Sequence, residues 1–142
     1  MNRKLLTALL ALTFMSAALA GCTSNDDTDD TDDTTSDVVK IGFLNPATGP
    51  LAQDAAGFEY GALQAVIDLN AAQTDTVFEA VVADSGCDGT VGAAAAQSLV
   101  DANVVAVAGA ACSGASMAAN AVLSAAGIPM ISYASTNPSL SD

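Results

Sequence analysis

The sequence predicts an α/β fold in which a parallel β-sheet is flanked by helices. From residue 38 onward, short runs of β-branched and aromatic residues alternate with stretches whose apolar residues recur every three or four positions. The run at residues 104–108 is apolar throughout, as expected for a strand that is covered on both faces. This order of strands and helices is typical of right-handed βαβ units that share one parallel sheet.

Strands are predicted at residues 38–44, 77–83, 104–108 and 129–133. The first helix follows the first strand, and its inner face is expected to consist of Phe58, Ala62, Ala65, Val66 and Leu69. The second helix is expected at residues 90–102, with an inner side formed by Val91, Ala94, Ala95, Ser98 and Leu99. A third helix is expected at residues 113–126, before Gly127. Asn137 and Pro138 predict the start of a further helix.

The composition excludes several classes of protein. The 142 residues include 16 acidic and 3 basic ones, which gives a formal charge of −13, and they include no His. Without His, this chain cannot perform Ser-His-Asp or Cys-His catalysis or bind zinc through imidazole. Nucleic-acid binding is disfavoured, because neutralising phosphates requires clustered Lys and Arg.

The first 22 residues have the pattern of an export signal. Arg3 and Lys4 precede an apolar run at residues 5–19, which is too short to span a bilayer comfortably. The run ends in the letters LAGC, which resemble the bacterial lipoprotein signal, in which Cys22 is lipidated and becomes the first mature residue. The alternative is an ordinary secretory signal beside a chance cysteine. The lipoprotein pattern predicts a signal peptide at residues 1–21 and an exported protein with a lipid anchor in the membrane.

Residues 22–37 are predicted to be a disordered tether. Seven acidic residues lie between Asp26 and Asp37 in an Asp/Thr repeat that contains no apolar residue. Such a segment repels itself and cannot form a core. It lacks the glycine turn and the spaced ligands of a metal site, so no metal is predicted. The folded domain is therefore expected at residues 38–142, where Lys40 is the single base.

Two cysteines remain if Cys22 is lipidated. Cys87 follows the second predicted strand and Cys112 follows the third, so adjacent strand ends place them within reach of a disulfide. An oxidising compartment permits that bond. The alternative is two small unpaired residues.

The segments after the strands are rich in Gly, Ser, Thr and Pro. They lie at residues 45–52, 84–88, 109–113 and 132–137. In parallel sheets ligands bind at the carboxyl ends of the strands, so these segments predict a site for a small polar group.

Several motifs in order carry a family resemblance. They are IGFLNPATGPLA, GFEYGALQAVIDLN, ADSGCDG, GAACSGAS and GIPMISYASTNPSLSD. Together they closely resemble the periplasmic branched-chain amino acid-binding proteins, the Leu/Ile/Val type of substrate-binding protein of ABC transporters. The separation of Cys87 and Cys112 also matches the disulfide of that family. The resemblance implies a type 1 periplasmic-binding-protein lobe with a Rossmann-like three-layer arrangement, of which this chain is the incomplete N-terminal part.

The resemblance also implies the ligand contacts. Ser113 matches the residue whose hydroxyl contacts the ligand carboxylate, and Ala134 matches the residue whose carbonyl accepts from the ligand ammonium group. Thr136 matches the residue that contributes its hydroxyl and backbone amide, with Ser135 between them. Capping by Ser113 and turn formation by Thr136 are the alternatives.

Two further residues bear on the choice of ligand. Asp54 occupies a position at which branched-chain binders often carry an aromatic residue. It either caps the following helix or points into the cleft, where a carboxylate would favour a polar or cationic ligand. Tyr133 either supplies an aromatic wall or packs in an ordinary way.

The predicted function is that of a receptor. The resemblance implies that it captures an amino acid or a similar small polar ligand for an ABC permease, without a cofactor or a catalytic residue. A ligand-sensing regulatory domain of the same fold is the alternative. An enzyme is disfavoured because the ACSGA run at residues 111–115 only faintly resembles a nucleophile elbow and no His can activate Ser113.

Overall fold

The computed structural model describes residues 37–73 and 75–141. The predicted signal peptide, Cys22 and all of the predicted tether except Asp37 lie outside the described residues. The strands are β1 Asp37–Asn45, β2 Thr76–Asp84, β3 Ala106–Ala108 and β4 Met130–Ile131. The helices are α1 Ala55–Ala72, α2 Gly89–Asp101 and α3 Ser113–Ala125, followed by a 3₁₀ turn at Pro138–Leu140.

The four strands form one parallel sheet in the order β2-β1-β3-β4. Asn45 pairs with Asp84, so the ends of β1 and β2 are level. The predicted α/β class and parallel sheet are confirmed. β3 and β4 are shorter than predicted, although the Val105 amide still donates to the Lys40 carbonyl at 2.9 Å. The predicted last helix is instead the 3₁₀ turn, and Asn137 Oδ1 accepts from the Ser139 amide at 2.9 Å as its cap.

The core lies on the face of the sheet that α2 and α3 cover. Its fully buried side chains include Leu44, Leu99, Val107 and Leu123. Alanine supplies many of the remaining positions, so the helices approach closely but contribute little apolar volume. The helices α2 and α3 approach closely at Gly92, where an added Cβ would lie 3.0 Å from Ala115 Cα and carbonyl oxygen.

The inner side of α2 differs from the prediction by about one residue. The buried residues are Gly92, Ala95, Ala96 and Leu99. Val91, Ala94 and Ser98 were expected inside, but they are exposed. The contact of Gly92 with α3 accounts for this rotation, because a larger residue at that point would separate the two helices.

Helix α1 packs on the opposite face, over β1 and β2. Of its residues only Ala55 is buried. The predicted inner residues Ala65 and Leu69 are exposed, and Leu69 remains 47% exposed beside the sheet. Toward β4 this face is open, and Ile131 is 74% exposed. No helix in the described ranges is both long enough and apolar enough to cross a membrane.

The outer edge of β2 is partly paired with side-chain amides from the C-terminal end of α1. Asn70 Nδ2 donates to the Phe78 carbonyl and Asn70 Oδ1 accepts from the Phe78 amide, both at 2.8 Å. Gln73 makes the same two contacts with Thr76, accepting from its amide at 2.9 Å and donating to its carbonyl. Two consecutive edge-facing residues of β2 therefore have their backbone groups satisfied without a further strand.

Candidate functional site

The four strands end at one edge of the sheet, and the loops after them carry the candidate site. The loops comprise residues 45–54, 85–88, 109–112 and 132–137. The predicted ligand edge is thus formed by all four predicted segments, as parallel topology requires.

Asp84 joins the first two loops. Its Oδ2 accepts from the Thr48 hydroxyl at 2.6 Å, and its Oδ1 accepts from the amides of Thr48 at 3.1 Å and Gly86 at 2.8 Å. Partial burial raises the pKa of Asp84, but the hydrogen bonds from Thr48 and Gly86 outweigh it, so the pKa lies below its ordinary value of 3.8. Gly49 has φ +83° and faces the Gly86 carbonyl so closely that a Cβ there would collide with it. The two loops therefore form one tightly joined unit.

These contacts predict how stability depends on pH. Because the pKa of Asp84 is lower in the folded chain, the carboxylate contributes stability that is fully present above pH 3.8 and is lost as pH falls through its folded pKa. The substitution Asp84→Asn is expected to cost about 1 kcal/mol near neutral pH, a value reduced because solvent screens the exposed carboxylate. Urea unfolding followed by circular dichroism between pH 7 and pH 2 measures this cost.

The difference in unfolding free energy between the wild type and Asp84→Asn should shrink on acidification. Asp101→Asn is the matched control, because Asp101 accepts one hydrogen bond from Gln97 at the exposed end of α2. A difference for Asp84→Asn that is the same at both ends of the pH range would contradict the prediction.

The second and third loops are joined by the Cys87–Cys112 disulfide, with the two Cα atoms 5.0 Å apart. The predicted pairing is therefore present, but the expectation that β2 and β3 are adjacent is wrong, because β1 lies between them in the sheet. Cys112 directly precedes α3, so the bond holds the start of that helix beside the end of β2.

The N-terminus of α3 differs from that of α2. In α2, Asp88 caps the helix by accepting from the amides of Thr90 at 2.7 Å and Val91 at 3.0 Å. In α3 the residue at the cap position is Cys112, which makes no side-chain cap. Within the described residues no acceptor pairs with the Gly114 amide, and the space above Gly114 is open. Such a helix end favours a negatively charged group.

Ser113 connects this helix to the fourth loop. Its Oγ accepts from the backbone amides of Thr136 and Asn137, both at 3.2 Å. The hydroxyl proton has no acceptor within the described part of the chain. Ser113 and Thr136, two of the predicted contacts, therefore lie together, and the Thr136 amide is already engaged. The hydroxyl of Thr136 is exposed and makes no hydrogen bond with another described residue.

The other predicted site residues are placed differently. Ala134 is exposed next to Thr136, whereas the Ser135 hydroxyl points toward the interior and lies 3.1 Å from the Ala110 carbonyl oxygen. Asp54 precedes α1, but its carboxylate makes no capping hydrogen bond. The capping alternative for Asp54 is therefore wrong, because Asp54 has helical backbone angles, φ −97° and ψ −11°, and its own carbonyl accepts from the Gly57 amide at 3.0 Å.

Tyr133 packs among aromatic side chains on the α1 face. Its ring centroid lies 5.6 Å from that of Phe43 and 5.2 Å from that of Phe58. Its hydroxyl donates to the Leu44 carbonyl at 3.3 Å, and burial raises its pKa to about 12. These rings help to line an open apolar cavity of about 350 Å³, together with Gly57, Gly61, Ala62 and Ala108. Tyr133 is 40% exposed, so it both packs against these rings and forms part of the cavity wall.

The sequence pattern did not predict that Ser116 and Ser132 support the fourth loop, or that Asn45 and Glu59 form a pair. Ser116 is fully buried. Its spacing of three from Ser113 was the available signal, because that spacing predicts a shared helix face. Asn45 Nδ2 donates to Glu59 Oε2 at 2.9 Å, a pairing across fourteen positions that no local pattern reveals. Within the described residues, no group of three His, Cys, Asp or Glu side chains could hold a metal.

Residues 38–142 match the family model of the periplasmic binding proteins. An alignment of 136 positions, which covers 94% of this chain, is 31% identical to the leucine-, isoleucine-, valine-, threonine- and alanine-binding protein of Pseudomonas aeruginosa. This alignment spans 35% of the Pseudomonas protein, so the chain covers about a third of that relative.

Solved structures of amino-acid-binding proteins are also similar to this chain. The branched-chain amino acid transporter substrate-binding protein LivJ of Streptococcus pneumoniae, in complex with isoleucine, is 36% identical with a TM-score of 0.68, covering 72% of this chain and 30% of LivJ. The leucine-binding protein LivK of Thermotoga maritima is 27% identical with a TM-score of 0.63, covering 73% of this chain and 30% of LivK.

Proposed function

Because the chain belongs to the periplasmic binding protein family, we propose that its folded domain supplies the head-group half of an amino-acid receptor that serves an ABC transporter. The relatives carry names of amino-acid-binding proteins, and one of them is in complex with isoleucine. The matched family is one of binding proteins, so the proposal contains no catalytic step.

The observation that carries the proposal is the arrangement around Ser113. Its hydroxyl accepts two amides and so has its own proton left to donate, beside a helix end without a side-chain cap. A carboxylate placed there would accept hydrogen bonds from the Ser113 hydroxyl and from the amides of the first turn. The exposed Ala134 carbonyl and Thr136 hydroxyl lie on the adjoining loop, where an ammonium group would find acceptors.

The ligand is proposed to be an α-amino acid held mainly through its zwitterionic head group. Asp54, which is exposed and makes no capping bond, is the residue proposed to influence the choice of side chain. If it faces the ligand, it favours a cationic side chain over leucine.

The test is a titration of the ¹⁵N-labelled chain with L-leucine, L-isoleucine and L-lysine, followed by amide NMR. Saturable shifts are expected for Gly114, Thr136 and Asn137. Leucinamide, which lacks the carboxylate, should leave these signals in place. Ser113→Ala is expected to weaken binding about tenfold, equivalent to about 1.4 kcal/mol for one charge-assisted hydrogen bond.

Ser124→Ala is the matched control, because Ser124 lies exposed in the last turn of the same helix. Its affinity should equal that of the wild type. Equal shifts with leucinamide, or no saturable shift with any of the three amino acids, would overturn the proposal.

The proposed location is the outer side of a membrane, with a lipid anchor on Cys22. Support comes from the lipoprotein-like run that ends at Cys22 and from the family match. Expression in a bacterium, followed by mass spectrometry of the membrane fraction, should yield a mature chain that begins with acylated Cys22. The Cys22→Ser variant should lose this modification, and a wild-type chain with an unmodified Cys22 would contradict the anchor.

A further inference from the structure

The carbonyl oxygen of Ala110 is surrounded by three serine hydroxyls from two elements. Ser132 Oγ lies 2.6 Å from it, and Ser116 Oγ and Ser135 Oγ each lie 3.1 Å from it. Ala110 and Ser116 are both 0% exposed. The third loop, helix α3 and the fourth loop therefore meet at one buried acceptor.

The three hydroxyls compete for the acceptor positions of the Ala110 carbonyl oxygen. A carbonyl oxygen has two lone pairs, so it accepts from two of the three. Ser132, at the shortest distance, fills one of these places, and either Ser116 or Ser135, both at 3.1 Å, fills the other. The remaining hydroxyl of these two donates across their 2.7 Å contact, or, if it is that of Ser135, to the Ala111 carbonyl at 3.3 Å, and Ser116 Oγ also accepts from the Ala110 amide at 3.2 Å. Each hydroxyl proton thus has an acceptor within the protein.

Ser132, together with Ser113, also binds the backbone of the fourth loop. Ser132 Oγ accepts from the amides of Ala134 at 3.3 Å and Ser135 at 2.9 Å. Ser113 Oγ accepts from the next two amides, those of Thr136 and Asn137. Four consecutive amides are therefore bound by two serine oxygens, which fixes the direction of the intervening carbonyl groups, including that of Ala134.

We infer that Ser116, Ser132 and Ser135 are positioning residues that hold the 134–137 segment against the start of α3. Ser135 therefore does not bind the ligand through its hydroxyl, in contrast to the role expected from its place between Ala134 and Thr136. The inference concerns the site proposed above and in that respect rests on the proposed function. The part that concerns the ligand-free chain is tested separately.

The experiment compares Ser135→Ala with Ser135→Thr, which retains a hydroxyl, in the full chain. Hydrogen exchange of the amides at 134–137 is measured without ligand, and L-leucine is then titrated. Ser135→Ala is expected to speed exchange of these amides about tenfold, while the buried Val107 amide keeps its rate. Leucine affinity should fall about fivefold, as expected for loss of positioning through a hydrogen bond. Ser135→Thr should restore both values.

Ser124→Ala should leave both readouts unchanged. Weaker leucine binding by Ser135→Ala with unaltered exchange at 134–137 would overturn the inference, because it would indicate direct contact with the ligand. Unaltered exchange in Ser135→Ala would overturn it even if the wild type bound no leucine. Faster exchange without any leucine binding by the wild type would retain the positioning role and reject the proposed function instead. Ser116→Ala repeats the exchange measurement at a second position.

Discussion

Removal of the Cys87–Cys112 disulfide is expected to lower the free energy of unfolding by about 3 kcal/mol, because an open chain of this loop length gains conformational entropy when unfolded. The sequence separation of the two cysteines is 25. The effect is large for this domain, since its core is rich in alanine and gains little from apolar volume. Urea unfolding of the double variant Cys87→Ser and Cys112→Ser, followed by circular dichroism, measures it.

The location of the disulfide adds a local consequence. Cys112 directly precedes Ser113, so relative to the wild type the double variant should speed amide exchange more in the first turn of α3 than in its last turn. Cys22→Ser is the control, because it replaces a cysteine outside the disulfide and leaves the bonded pair intact. Equal unfolding free energies for the wild type and the double variant would contradict the prediction.

Truncation of Leu99 is the second change with a large expected effect. Leu99 is 0% exposed, and it lies against the backbone of β1, where its Cδ1 would be 3.0 Å from a Cβ added at Gly42. Leu99→Ala leaves a cavity between α2 and the sheet, and the absence of a side chain at Gly42 means that β1 cannot fill it. A loss of about 3 kcal/mol in unfolding free energy is expected from urea titration.

Leu63→Ala makes the same chemical change on α1, where Leu63 is 38% exposed. It should cost less than about 1 kcal/mol, because little apolar surface leaves the interior and alanine favours the helix. Equal losses for the two leucines would contradict the assignment of the core to the α2 and α3 face.

The order of strands and helices could be predicted from the sequence because apolar period and strand composition are local properties. The orientation of α2 could not. Residues 93–96 are four consecutive alanines, so every face of this helix carries an apolar side chain. The spacing of apolar residues therefore does not show which face of the helix is buried. The buried face is set by the contact of Gly92 with Ala115, which joins two helices and is not visible in either alone.

The candidate site was predictable to a similar extent. The position of the loops follows from parallel topology. The pairing of Cys87 with Cys112 was expected from adjacent strand ends, but β1 lies between β2 and β3, so the bond depends on the course of the loops after these strands and not on neighbouring strands. The inward direction of Ser135 was not predictable, because it depends on the Ala110 carbonyl, which is 25 residues away in sequence. Consecutive Ser and Thr residues indicate that hydroxyls are present in the loop. They do not show which hydroxyls form hydrogen bonds within the protein and which remain for a ligand.

The amides of Asn70 and Gln73 affect how copies of this domain meet. A strand from another molecule that approached the start of β2 would find the backbone groups of Thr76 and Phe78 already occupied. It would have to displace two side chains, each of which makes two hydrogen bonds, before forming any of its own. Asn70 near the end of α1 and Gln73 just after it thus occupy the backbone groups of two β2 residues as a neighbouring strand would, and pairing of a second copy with β2 is blocked where it would begin.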